Sequence, residues 1–146
     1  MNENELNKII KQIEKENLKK ALLLFKRYKK KYPTDQNARV YLLDVLFKKS
    51  KFVEIIEIIK QFPLDSMDEQ TLKIASLSFL KLENYRIASK YLKKLLVLSP
   101  DAVTLNYLAI SYSKLEDKDK ANTYFKKALS KDGNNLSILI NYANFL

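Results

Sequence analysis

Residues 105–128 read LNYLAISYSKLEDKDKANTYFKKA and contain two apolar stripes with a polar segment between them. In the first stripe, Leu105, Leu108 and Tyr112 are three and four residues apart, which is the spacing of one face of an α-helix. Residues 121–128 have the same spacing, and the segment between the stripes is rich in charged residues. We therefore predict two helices joined by a short turn, which is a helical hairpin.

The pattern recurs along the chain at intervals of 33 or 34 residues. Five sets of equivalent positions carry it: Phe25, Ile59, Leu92 and Phe125; Ala21, Ile55, Ala88 and Ala121; Leu18, Phe52 and Tyr85; Leu46, Phe79, Tyr112 and Leu146; and Leu43, Ser76, Ala109 and Ala143. We predict repeats at about 2–33, 34–63, 66–100 and 101–133 and the first helix of a fifth at 135–146, all in a single domain.

Short polar signals mark where several of these helices begin and end. Ser66 and Glu69 have the spacing of a capping box, which predicts that a helix opens there. Asn84 and Asp101 are placed to cap the two helices that follow. Gly133 is expected to end the fourth repeat, because glycine tolerates the left-handed backbone of a helix C-cap.

The repeat resembles that of the tetratricopeptide repeat family, whose unit of about 34 residues pairs a helix A with a helix B. The positions that carry the resemblance are Leu105, Leu108, Ala109 and Tyr112 in helix A and Ala121, Phe125 and Ala128 in helix B. The second repeat departs from the pattern at Arg39, Leu43 and Pro63, and the early Pro63 predicts a short helix B. The resemblance implies an all-α, right-handed α-solenoid of antiparallel helix hairpins.

The composition limits the chemistry of the chain. It has no Cys and no His, so thiolate metal sites, disulfides and imidazole catalysis are excluded. No glycine-rich phosphate loop and no nucleophile beside a base is visible. We expect a protein that is not an enzyme and needs no cofactor and no metal.

No apolar run approaches the roughly 18 residues that suggest a membrane span, and the first residues lack the apolar core of a signal peptide. The sequence therefore predicts a soluble, cytoplasmic protein that does not insert into a membrane.

The resemblance also implies where a partner binds, because in this family the A helices line the concave face. A peptide or a short helix of a partner protein is expected there, on A-helix positions that the hairpin core does not use. The candidates are Asn7, Lys11, Glu14, Asn37, Val40, Asp44, Phe47, Lys73, Leu77, Leu80, Asn106, Ile110, Ser113, Ile140 and Asn144. In the alternative interpretation, Leu77, Leu80 and Ile110 only pack against neighbouring repeats.

Some family members hold the C-terminal carboxylate of a chaperone with Lys and Asn side chains on successive A helices. That set is not assembled here, because Lys73 is followed one turn later by Leu77 and the next expected Asn is Tyr107. A chaperone-tail clamp is therefore not predicted.

Cations recur at the repeat spacing along the B helices. This basic ridge consists of Lys26, Arg27, Lys60, Lys93, Lys94, Lys126 and Lys127. It predicts nucleic-acid or polyanion binding as an alternative function, in line with the net charge of +10. Cations near helix C-termini are also favoured by the helix dipole, so a solvated face explains the ridge equally. A further alternative is an accessory N-terminal arm of a longer enzyme.

The last predicted helix is too apolar for a wholly solvated solenoid end. Ile138, Leu139, Tyr142, Phe145 and Leu146 exceed what is needed to cover the fourth repeat. Their number predicts further repeats, self-association or a partner helix at this end.

Substitution of the small residues tests the predicted hairpin. Ala109→Leu or Ala121→Leu should overpack the two helices and lower the free energy of unfolding by about 1–3 kcal/mol. Urea unfolding followed by circular dichroism measures the change. Unchanged stability in both variants would show that these positions do not face a partner helix.

Overall fold

The computed structural model describes residues 1–146 and is entirely helical. Its nine α-helices are α1 Glu3–Glu14, α2 Leu18–Lys31, α3 Gln36–Lys48, α4 Phe52–Ile59, α5 Glu69–Lys81, α6 Tyr85–Leu98, α7 Ala102–Lys114, α8 Lys118–Lys131 and α9 Leu136–Phe145. A short 3₁₀ turn at Leu64–Ser66 precedes α5. The predicted all-α fold of helical hairpins is confirmed. None of the helices is both long and apolar enough to cross a bilayer.

The helices form two compact units, Met1–Pro63 and Leu64–Leu146. The first unit contains the hairpins α1–α2 and α3–α4, and its core includes the buried side chains of Phe25 and Leu42. The second unit contains the hairpins α5–α6 and α7–α8 followed by α9. Each unit therefore buries its own apolar residues between neighbouring helices.

Equivalent small residues lie at equivalent places in the second unit. Ala88 of α6 and Ala121 of α8 are both fully buried, as is Ala109 of α7. A side chain no larger than a methyl group lets the paired backbones approach closely. The large equivalents Leu92 and Phe125 are buried beside them, so the sequence periodicity corresponds to a repeated packing arrangement.

Arg39 occupies a position where the repeat pattern favours a large apolar residue, and it is 5% exposed. Its guanidinium carbon lies 4.4 Å from the centre of the Phe62 ring, within the range of a cation–π interaction. Pro63 follows directly, and α4 has only eight residues, which confirms the short helix predicted from that proline.

Each hairpin turns through a residue in the left-handed region of backbone space: Glu16, Ser50, Glu83 and Glu116 have φ between 56° and 62°. At Glu83 the N–H donates to the carbonyl of Leu80, and the N–H of Asn84 donates to that of Phe79. This pair of hydrogen bonds is a Schellman motif, and it recurs in all four turns. Because none of the four residues is glycine, the sequence did not reveal the motif.

Two predicted helix ends were wrong in detail. Gly133 does follow α8, but it is not left-handed, since no glycine in the chain has a positive φ. The Ser66–Glu69 capping box does not form, because Ser66 belongs to the 3₁₀ turn and Asp68 caps α5 by accepting from the Thr71 N–H at 2.7 Å.

The other two predicted caps are confirmed. Asn84 accepts from the N–H of Ile87 at 3.3 Å at the start of α6. Asp101 accepts from the N–H of Thr104 at 2.8 Å at the start of α7. Both helices therefore begin where a side-chain oxygen satisfies one of the free N–H groups of the first turn.

The left-handed turns predict a stabilising substitution. Glu83→Gly removes the steric cost of φ 58° for a residue with a Cβ atom, and it should raise the free energy of unfolding by about 0.5–1 kcal/mol after the entropy cost of glycine. Urea unfolding measures the difference. Glu83→Ala is the matched control, because alanine keeps the strain, and it should leave stability nearly unchanged. A loss of stability in Glu83→Gly would contradict the turn geometry.

Candidate functional site

A recess opens in the second unit between α5 and α7, and α6 closes its base. This α5–α7 slot has a volume of about 130 Å³. It is lined by Glu69, Lys73, Ser76 and Leu77 of α5, Leu92 and Leu95 of α6, Ser99, Asp101, and Val103, Thr104 and Tyr107 of α7. Helices α5 and α7 are the first helices of successive hairpins. Both helices pack against α6, and the slot lies between them.

The walls and the mouth of the slot differ in chemistry. Leu92 and Leu95 at the base are buried, and the half-buried Leu77 forms part of the wall. Lys73 and Glu69 are exposed and lie one helical turn apart on α5. A group that enters the slot therefore passes charged side chains and reaches an apolar base.

Asp101 is the third charged residue of the slot and also the cap of α7. Partial burial alone would raise the pKa of its carboxyl group, but hydrogen bonds from Thr104 and Ser99 and the positive charge of Lys73 outweigh burial and lower it. The Ser99 hydroxyl lies 2.9 Å from the carboxylate. Asp101 is thus held as an anion beside Lys73.

The structure brings some of the groove candidates of the second unit together and separates others. Lys73 and Leu77 line the α5–α7 slot. Asn106 is buried, and its side-chain oxygen accepts from the amide of Asn141 at 3.4 Å, so it joins α7 to α9. The remaining candidates lie outside the slot: Leu80, Ile110 and Ser113 are half-buried, whereas Ile140 and Asn144 are exposed on α9.

In the first unit the groove candidates are distributed over two helices. Asn7, Lys11 and Glu14 are exposed on α1, and Asn37 is exposed at the start of α3, where Val40 is half-buried. The carboxylate of Asp44 lies 2.9 Å from the ammonium of Lys48. The Phe47 ring packs edge-on against Phe52 with centroids 5.6 Å apart, so its apolar surface is used in the α3–α4 hairpin.

All seven residues of the basic ridge are exposed: Lys26, Arg27, Lys60, Lys93, Lys94, Lys126 and Lys127. In the second unit several of them already have partners. Lys94 forms an ion pair with Asp65. Lys93 lies 5.5 Å from the centre of the Tyr112 ring, and hydrogen bonding to Tyr112 raises the pKa of its ammonium group. Lys127 lies over a tyrosine ring in the same way.

Comparisons with known proteins agree with this architecture. Residues 102–135 match the family model described as tetratricopeptide repeat. A tetratricopeptide repeat protein from Parabacteroides merdae has a similar structure, with a TM-score of 0.67 over 98% of this chain and 16% sequence identity. The chain has the tetratricopeptide-repeat fold. It spans 58% of the length of that relative.

Two further structural neighbours are structures of MamA, both 16% identical to this chain. The AMB-1 protein has a TM-score of 0.67, with 97% of this chain and 79% of that one covered. The protein from Desulfovibrio magneticus RS-1 has a TM-score of 0.66, with 93% and 78% covered. No curated protein sequence matches this chain significantly. The likeness therefore concerns the fold.

Several residues that line the slot were not among the candidates predicted from the sequence. The sequence identifies Asp101 only as a helix cap and Ser76 only as a member of the small-residue set. On α7, the slot is lined by Val103, Thr104 and Tyr107, whereas the predicted groove positions were Asn106, Ile110 and Ser113. A repeat pattern identifies which face of a helix is free, but the neighbouring helix determines which of its residues border a recess.

The lowered pKa of Asp101 predicts a pH-dependent contribution to stability. A carboxylate with a folded pKa below its ordinary value of 3.8 stabilises the native state above that value and loses the effect as the pH falls through the folded pKa. Asp101→Asn keeps an oxygen for the cap but carries no charge. The unfolding midpoint of the wild type should exceed that of Asp101→Asn near pH 6, and the difference should shrink near pH 3.

Urea titrations across that range measure the effect. Asp119→Asn, at an exposed position in the first turn of α8, serves as the control. A difference that stays constant with pH, or that grows in acid, would contradict the assignment to Asp101.

Proposed function

We propose that this chain is a protein–protein interaction scaffold that binds a peptide or a short helix of a partner protein on the side of its second unit formed by α5 and α7. The observation that carries the proposal is the α5–α7 slot, which combines an apolar base with a charged mouth. A recess of this kind holds one anchoring side chain while the rest of the ligand lies along α5 and α7.

The exposed surface around the slot supports the proposal. Val103 is 47% exposed at its edge, and Leu77 and Tyr107 are half-buried. These side chains offer apolar area to a ligand, and the tyrosine hydroxyl offers a hydrogen bond. Lys73 and Asp101 present opposite charges close to each other, which favours a defined orientation of the bound chain.

The exposed face of α9 supports a second contact with a further helix. Leu105, Ala109 and Tyr112 are buried in α7. The equivalent residues in α9 lie 34 positions later, and Leu139 and Leu146 among them are 42% and 83% exposed. We infer that this face packs against another helix, from additional repeats, a second copy or the partner itself.

Nucleic-acid binding by the basic ridge has weaker support. Lys93, Lys94 and Lys127 are engaged with Tyr112, Asp65 and Tyr124 within the fold. Phosphate binding would compete with these contacts, so these three cations already have a structural explanation.

Site-specific photo-crosslinking tests the proposed binding side. Benzoylphenylalanine placed at Tyr107 should crosslink a partner protein in the native extract, and the same probe at Lys126 on α8 should not. Leu77→Asp should reduce the crosslinking from position 107 roughly tenfold, because it puts a charge into apolar contact surface.

Leu82→Asp provides the matched control. Leu82 is 42% exposed at the C-terminal end of the same helix and lies outside the slot, so its substitution should leave crosslinking unchanged. Equal crosslinking from positions 107 and 126, or equal losses in the two aspartate variants, would refute the proposed function.

A further inference from the structure

The exposed side of α2 carries a dense positive charge. Seven of its 14 residues are Lys or Arg, and none is acidic. Five of these cations are exposed together with one leucine within an arc of about 120° around the helix axis. This α2 face consists of Lys19, Lys20, Leu23, Lys26, Arg27 and Lys30. Its first and last members lie about 16 Å apart along the axis, so the face is a continuous positive surface.

The five cations of the α2 face form no ion pair, hydrogen bond or ring contact within the fold. The other two cations of the helix do have partners. The ammonium of Lys31 lies 2.7 Å from the carboxylate of Glu5, and Lys29 contacts the side chains of Gln61 and Phe62. In contrast to the engaged cations of α6 and α8, those of the α2 face therefore have no contact that explains them.

Helix electrostatics do not explain the α2 face either. The helix dipole favours cations in the last turn, where Lys30 lies. Lys19 and Lys20 lie in the first turn, where the same dipole disfavours a positive charge. Lys26 and Lys30 are also one turn apart, and like charges at this spacing repel each other. The helix thus carries these charges at a cost to its own stability.

Helix α8 shows what the fold requires on such a face. Like α2, it is the second helix of a hairpin, has 14 residues and buries an Ala and a Phe at corresponding positions. At three exposed positions it has an acidic or neutral polar residue where α2 has a cation or leucine: Asp119 for Lys19, Thr123 for Leu23 and Ser130 for Lys30. A second helix of this fold therefore needs neither the extra charge nor the exposed leucine.

Leu23 distinguishes between the anionic partners that the charge would attract. Its side chain is 48% exposed between the cations. Against a nucleic-acid backbone this leucine would face phosphates, and the aromatic residues Phe25 and Tyr28 are buried and cannot stack on bases. A peptide ligand needs a groove, which the outer surface of one helix does not offer. At an anionic membrane, cations contact the headgroups while a leucine reaches the acyl boundary.

We propose that the α2 face binds the surface of a membrane that contains anionic lipids, with Leu23 inserted between the headgroups. The helix lies along the surface and each cation near it strengthens binding roughly fivefold. This inference goes beyond the proposed function and does not depend on the α5–α7 slot.

Co-sedimentation of the full chain with lipid vesicles tests the proposal. The wild type should bind vesicles of equal parts phosphatidylserine and phosphatidylcholine, should not bind pure phosphatidylcholine vesicles, and should bind less at high salt. The triple variant Lys19→Asp, Leu23→Thr and Lys30→Ser introduces the residues of α8. It should bind the anionic vesicles about a hundredfold more weakly, because it lacks three units of positive charge and the leucine.

Two further variants separate the α2 face from general charge effects. Lys118→Asp combined with Lys131→Ser removes the same net charge from exposed positions of α8 and should change vesicle binding less than about threefold, because distant charges are screened. Leu23→Thr alone keeps every charge. It should weaken vesicle binding roughly five- to tenfold and leave binding to duplex DNA unchanged. Circular dichroism checks the folding of each variant, and Leu23→Thr alone keeps the test if the triple variant does not fold.

The proposal is overturned if the wild type binds both kinds of vesicle equally. Equal losses in the α2 triple variant and the α8 charge variant would also overturn it, as would unchanged vesicle binding in Leu23→Thr. Duplex DNA binding that falls in the triple variant while vesicle binding does not would assign the α2 face to nucleic acid instead.

Discussion

The close approach of paired helices at small side chains is the constraint on which the rest of this structure depends. Ala88 and Ala121 are fully buried where α6 and α8 pack on their partners. The α3–α4 hairpin holds the larger Leu43 and Ile55 at the corresponding positions, and both are fully buried there. In the other hairpins, small residues let the paired helices approach closely.

All four hairpins use the same type of turn. In each turn, a left-handed residue and the paired hydrogen bonds of the Schellman motif end the first helix of the hairpin. In the second unit, Asn84 and Asp117 directly follow these residues and also cap the next helices. One short segment therefore performs both tasks. The α5–α7 slot lies where α5 and α7 both pack against α6.

The sequence predicted the repeat well because its signal is carried by many buried positions. Burial of Leu92 and Phe125, the caps at Asn84 and Asp101 and the short α4 all follow from spacing and residue chemistry. The predicted cap of α5 was wrong because residues 64–66, directly after Pro63, form a 3₁₀ turn, and Asp68 caps the helix instead of Ser66. The left-handed backbone conformation of Glu83 could not be predicted, because glutamate has no preference for that conformation.

The candidate site was harder to predict, for a physical reason. Periodicity identifies the side of a helix that its hairpin partner leaves free, but a neighbouring helix can cover that side. Asn106 is such a case, because Asn141 of α9 reaches it. Lys73 and Leu77 border a recess because no helix covers them.

The central claim is that a partner occupies the side of the second unit formed by α5 and α7. Hydroxyl-radical footprinting with and without the bound partner tests it most directly, because it reports the solvent exposure of individual side chains. The account predicts that Tyr107, Leu77 and Val103 lose reactivity in the complex while Tyr124 keeps it. Protection of Tyr124 with full reactivity at Tyr107 would contradict it.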